Sequence, residues 1–196
     1  MKCFSINLVV LIGVVTFSNA QAQQPVVISQ QLEQKVIEWR RHLHQHPELS
    51  NREFNTAKVI AEHLNGLGLE VQTGIAHTGV VGVLIGGKPG PTIALRADMD
   101  ALPVIEQTDI PFKSIAKSEY RSNEVGVMHA CGHDLHMAML MGAAEKLSSM
   151  KNDIAGTIVF IFQPAEEGAP KEEEGGAELM LKEGLFTQHQ PDVVFG

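Results

Sequence analysis

The pattern of apolar and polar positions predicts helices first and strands afterwards. Leu32, Val36, Ile37, Trp39 and Leu43, then Ala57, Ile60 and Leu64, recur at roughly helical spacing across residues 31–65. Pro47 interrupts that run and splits it into two helices, because proline removes a backbone donor and clashes with the preceding turn. Ser50 or Asn51 is placed to cap the second helix, with Glu53 in its first turn. Gly66 and Gly68 suit its C-terminal end. A short strand is expected over Glu70–Gly74, and Val80–Ile85 and Thr92–Arg96 are rich in Val, Ile and Leu. The segment Gly86–Pro91 between them reads as a hairpin-type turn.

Residues 103–127 have weak periodicity and read as a long loop near the site. Asp134–Met150 reads as a helix with Met, Ala and Leu on its buried face. Gly156–Phe162 is a continuous apolar run, the pattern of a strand buried on both faces, and it stops at Gln163-Pro164. A Gly- and Glu-rich loop over 165–176, a helix over Ala177–Leu185 and a strand beginning at Val193 follow. This order predicts an α/β sandwich with a mixed β-sheet flanked by helices. Neither an internal repeat nor a low-complexity segment occurs.

The extreme N-terminus has a different character. Lys2 precedes the apolar run Leu8–Phe17, which is too short to span a bilayer, and small residues flank Asn19 and Gln21. Residues 1–22 therefore read as a secretory signal peptide cut after Ala20 or Ala22, which makes the expected product exported, periplasmic or secreted. No second apolar span follows, so no stable membrane span is expected after cleavage. Cys3 leaves with the signal, and Cys131 is then the one cysteine of the mature chain. A lone thiol in an oxidising compartment is either buried and inert or held by a metal. The formal net charge of -8 repels phosphate backbones and argues against nucleic-acid binding.

Four clusters could carry chemistry. In His129-Ala130-Cys131-Gly132-His133-Asp134-Leu135-His136, thiolate and imidazole one residue apart suit a transition metal. Asp134 could orient a ligand histidine or simply cap a helix, and His136 could lie exposed on the first helical turn. Pro164-Ala165-Glu166-Glu167-Gly168 follows the buried strand, where α/β folds place their chemistry. Two adjacent glutamates can serve one site only where the strand has ended, since neighbours on a strand point to opposite faces. The competing reading is a solvated acidic loop, because Glu172, Glu173 and Glu174 follow closely. Asp98 and Asp100, at a strand end, could bind metal, orient a histidine or serve a turn. His42, His44 and His46 would fan apart on a helix and read as structural. P-loop, dinucleotide-binding, HExxH and Gly-x-Ser-x-Gly patterns are absent from the sequence.

Taken in order, Arg41 with His44–Glu48, Leu95–Pro103, His129–His136, Gln163–Gly168 and Gly175–Ala177 resemble the metallopeptidase-like amidohydrolases. That family includes hippurate hydrolase, N-acyl-L-amino-acid amidohydrolase and the indole-acetyl-amino-acid hydrolases. The resemblance runs from about residue 35 onwards. It implies a zinc-peptidase-like three-layer catalytic domain and a site with two divalent ions, Zn²⁺ or Mn²⁺. By the same resemblance Cys131, His133 and Glu167 match metal ligands, Glu166 matches the general base, and Asp100 matches an aspartate that organises the site. The implied substrate is a small N-acyl amino acid, with a dipeptidase, a carboxypeptidase or a metal-binding fragment without turnover as alternatives. Family members also carry an inserted smaller domain and two further histidine ligands. Residues 23–196 are therefore expected to be the N-terminal part of the catalytic domain, inactive alone, with a homo-oligomer possible for the full-length protein.

Overall fold

A computed structural model describes residues 27–196, and the expected signal peptide lies outside the described residues. The first two helices, α1 (Gln30–Gln45) and α2 (Phe54–Gly66), fall on either side of Pro47 as the spacing predicts. Ser29 caps α1 through a 3.1 Å bond from the Leu32 amide to its hydroxyl. Neither Ser50 nor Asn51 caps α2. The Glu48 carboxylate reaches forward instead and accepts the amides of Asn55 (3.2 Å) and Thr56 (2.8 Å). An anionic group there satisfies orphan donors and complements the positive end of the helix dipole.

Strands β1 (Glu70–Ile75), β2 (Gly79–Ile85) and β3 (Lys88–Asp98) come next, followed by the small hairpin β4 (Lys117–Tyr120) and β5 (Asn123–Gly126). Then come α3 (His133–Ser149), β6 (Ala155–Gln163), α4 (Gly176–Lys182), α5 (Leu185–His189) and β7 (Val193–Phe195). The main sheet runs β1-β2-β6-β3-β7. Its β1–β2 and β2–β6 pairs are antiparallel, and β6–β3 and β3–β7 are parallel, so the sheet is mixed.

The expected β2–β3 hairpin does not form, because β6 lies between the two strands. β6 is buried without a break from Ile158 to Gln163, and a strand can hide both faces only inside the sheet. The 86–91 segment wraps the start of β6, with the Gly86 amide bonded to the Gly156 carbonyl and the Lys88 amide to the Ile154 carbonyl. Glycine is required by that approach: a Cβ at Gly86 would lie 2.5 Å from the Ile154 oxygen. Two smaller corrections concern loops. The 103–127 segment carries the β4–β5 hairpin, and the helix expected over 177–185 is divided where Gly184 adopts φ 94°.

Alternation along β6 builds both cores. Ile158, Phe160 and Phe162 pack with Leu43, Ile60, Leu64, Met137 and Met141 from α1, α2 and α3. Val159 and Ile161 face the opposite side with Met180 and Leu185 of α4 and α5. Helices thus cover both faces of the sheet, giving the three-layer α/β sandwich anticipated from the sequence. Among the described residues no helix is long and apolar enough to cross a membrane.

Candidate metal centre

The site forms where two adjacent parallel strands end together. Asp98 at the end of β3 pairs with Gln163 at the end of β6, and the Met99 amide continues the ladder to the Gln163 carbonyl at 2.9 Å. Beyond that point the chains diverge, which opens a crevice at the carboxyl ends of the strands.

The β6 strand ends at Pro164, and Ala165 takes a left-handed conformation with φ 50°. This reversal frees Glu166 and Glu167 from strand geometry, so both carboxylates reach the same side. Two buried carboxylates hold the turn. Glu53 Oε1 accepts the Ala165 amide at 2.9 Å, and Asp100 Oδ2 accepts the Glu167 amide at 2.9 Å. Asp100 Oδ2 also accepts the Ser50 hydroxyl at 2.7 Å. A second reversal, Gly132 with φ 107°, separates Cys131 from His133 at the start of α3 and lets both side chains meet the glutamates.

His133 is buried, and its Nδ1 donates to the Asp100 carbonyl at 2.8 Å. Its Nε2 faces three carboxylates: Glu166 Oε2 at 3.8 Å, Glu167 Oε1 at 3.9 Å and Asp98 Oδ2 at 3.9 Å. One donor atom each from Cys131, His133 and Glu167 lies within 4.8 Å of the others. Ligands sharing a tetrahedral zinc ion stand about 3.4–3.6 Å apart, from bond lengths of about 2.0–2.3 Å. Closing the widest of these separations by no more than about 1.2–1.4 Å would therefore bring the three onto one ion.

The titration behaviour points the same way. Partial desolvation pushes the Cys131 thiol up although the residue is exposed, and the carboxylates of Glu167, Glu166 and Asp98 push it further. Burial alone would lower the His133 pKa, but hydrogen bonds to Asp100 and the charges of Asp98 and Asp100 raise it to about 9. Clustered negative charge raises the His133 value and adds to the desolvation that raises Cys131. The Arg96 guanidinium pairs with Asp98, and His136 Nδ1 stands 3.6 Å from the same carboxylate. A divalent cation supplies the missing charge, and sulfur, imidazole and carboxylate are donors that suit zinc, with manganese favouring the carboxylate and imidazole. The residues present fit a metal ion.

The structure thus brings together Cys131, His133, Glu166, Glu167, Asp98 and Asp100. Cys131 is exposed, which excludes the buried and inert alternative. The other histidines stay outside. His44 is buried, with Nδ1 2.8 Å from Asp134 and Nε2 3.1 Å from Glu106. Asp134 therefore orients no ligand histidine; it bridges His44 and Arg40, whose Nε lies 2.8 Å away. His136 is exposed on the first turn of α3, as expected. Glu53 and its partner Thr78 were not singled out from sequence, because a glutamate entering a helix gives no signal that it turns inward. Cavities of about 800 Å³ beside Glu167, walled by Leu102, Tyr120 and Pro170, and of about 560 Å³ beside Cys131 flank the centre.

Known proteins are similar to this chain in sequence and in fold. Residues 94–196 match the peptidase family M20/M25/M40. The chain is 50% identical over 167 residues to thermostable carboxypeptidase 1 of Saccharolobus solfataricus, covering 85% of this chain and 39% of the relative. It is 47% identical over 161 residues to the N-acyl-L-amino acid amidohydrolase of Geobacillus stearothermophilus, covering 82% and 40% respectively. Among solved structures, the Bacillus subtilis YXEP protein, described as a dinuclear metal binding peptidase from the M20 family, superposes with a TM-score of 0.71. That match has 41% identity and covers 81% of this chain and 41% of the other. The chain belongs to the peptidase family M20/M25/M40. It spans about two fifths of the length of the curated relatives it matches.

Proposed function

We propose that this chain carries part of the active site of a metal-dependent amidohydrolase that cleaves the amide bond of N-acyl amino acids. The observation that carries this reading is the convergence of Cys131, His133 and Glu167 beside a free carboxylate, Glu166. Those first three residues would serve as ligands of a centre that takes two divalent ions. Divalent ions bound there polarise the substrate carbonyl and lower the pKa of attacking water.

The chain's own residues do the rest. Glu166, at the mouth of the site, accepts the proton of the attacking water and returns it to the leaving amine nitrogen. Asp100 accepts the Nδ1 proton of His133 at its carbonyl, which fixes the tautomer and aims Nε2 at the site. The larger cavity beside Glu167 has room for a small acyl group between Leu102, Tyr120 and Pro170. Removal of residues 1–22 as a signal peptide, and export of the product, belong to the same reading; N-terminal sequencing of exported protein tests them, and a retained Met1 would contradict them.

The name of the relative at 50% identity favours a second reading, release of a C-terminal amino acid from peptides. Assays of the full-length protein with added Zn²⁺ or Mn²⁺ on an N-acetyl amino acid, a benzoyl amino acid and an unblocked dipeptide decide between them. Faster turnover of the acyl amino acids supports the amidohydrolase; faster turnover of the dipeptide supports the peptidase.

A further inference from the structure

We propose that Glu53 is a positioning residue for the proposed centre, holding through the Ala165 amide the turn that presents Glu166 and Glu167. The inference rests on the reading of those two glutamates given above, and its geometry stands apart from it. Glu53 sits at the entrance of α2, more than a hundred residues from the turn in sequence, and its side chain is completely buried. One oxygen accepts the Thr78 hydroxyl at 2.6 Å, and the other accepts the Ala165 amide at 2.9 Å. Both partners are buried as well.

The position of that amide gives the contact its consequence. Ala165 is the residue whose left-handed conformation ends β6 and redirects the chain. An alanine occupies that region only where its surroundings hold it there. The Glu53 bond fixes the turn on one side of this residue, and the Asp100 bond to the Glu167 amide fixes it on the other. Glu166 lies between the two clamps. Without the first clamp Ala165 is free to relax toward extended backbone, and Glu166 and Glu167 would again point to opposite faces. Thr78, immediately before β2, sets the Glu53 carboxylate in place and so ties the turn to the sheet.

The role depends on reach rather than on charge, and three variants of the full-length protein separate these. Glu53→Gln keeps an acceptor oxygen at the same distance, Glu53→Asp keeps the charge but withdraws it by one methylene, and Glu53→Ala removes both. Amide exchange at Ala165 in the metal-free protein reports the clamp directly. Metal affinity by chelator competition, and kcat, report its consequence. We expect Glu53→Gln to keep Ala165 protection, metal affinity and kcat within about tenfold of the parent. Glu53→Asp and Glu53→Ala should lose protection, bind metal about 10–100-fold more weakly and lose about 10²-fold in kcat. A loss of thermal stability alone, with metal affinity and kcat of the folded variants unchanged, would overturn the proposal. So would Glu53→Asp performing better than Glu53→Gln, a comparison that holds even where Glu53→Ala fails to fold. Ala165 protection following the expected order in a protein that neither binds metal nor turns over would uphold the clamp and count against the proposed function instead.

Discussion

His133 Nδ1 donates to the backbone carbonyl of Asp100 at 2.8 Å, and this bond leaves Nε2 as the nitrogen that faces Glu166, Glu167 and Asp98. A main-chain carbonyl accepts only from a protonated nitrogen, so the tautomer is set by the segment just after β3 rather than by the histidine's own helix. The same aspartate accepts the Glu167 amide, so one residue aligns two of the three candidate ligands.

Removal of the thiolate tests the ligand set. Cys131→Ser should weaken metal binding by at least about 10–100-fold, the range that loss of a supporting residue alone already costs. In the Co²⁺-loaded protein it should also abolish the sulfur-to-metal absorption band in the near ultraviolet. Unchanged affinity together with an unchanged spectrum would remove Cys131 from the centre.

The three-layer order of helices and strands was legible in the sequence because both periodicities were strong: helical spacing in 31–65 and 134–150, and an unbroken apolar run in 156–162. Strand pairing was not legible at the 86–91 turn. Glycines there resemble a hairpin signal, yet they serve the close passage of the chain around the start of β6. Cys131, His133, Glu166 and Glu167 stood out by residue type and spacing, and their convergence follows from two backbone reversals, at Gly132 and Ala165. Gly132 could be seen in advance, whereas nothing about Ala165 marks a left-handed residue. The supporting contacts of Glu53 and Ser50 join distant segments and leave no local pattern.

His44 is a structural tie and not a ligand. It sits buried between Asp134 and Glu106, joining α1 to the start of α3 and to the 103–114 segment. Replacement by alanine removes one hydrogen bond from each carboxylate, leaving Asp134 with Arg40 and Glu106 with Thr108 and Ser114, and loss of hydrogen bonds to charged groups costs about 1.5–3 kcal/mol each. Chemical denaturation of His44→Ala should show a loss of that order. A change below about 0.5 kcal/mol, the level of ordinary surface substitutions, would contradict it.

His63 should impose a pH dependence on stability. Burial lowers its pKa below 6.5, against a smaller upward pull from its bond to the Met141 carbonyl at 3.0 Å. The folded state resists protonation that the unfolded chain accepts, so the unfolded chain binds more protons below pH 6.5. The stabilisation is present above that pH and is lost as pH falls through the lowered folded value. His63→Gln can keep the donor to Met141 and cannot titrate. Between about pH 8 and about pH 5, the span over which an ordinary histidine charges, the parent should lose more stability than the variant. Equal losses would contradict the assignment.

Metal content and turnover, measured together on Glu166→Gln and Glu167→Gln in the full-length protein, test the proposed division of labour between the two neighbouring carboxylates. Glu167→Gln should lose metal, because a neutral amide is a poorer donor than a carboxylate. Glu166→Gln should retain metal and lose about 10²–10⁴-fold in kcat, because an amide cannot accept the proton of the attacking water. Near-normal turnover in metal-loaded Glu166→Gln would contradict the account.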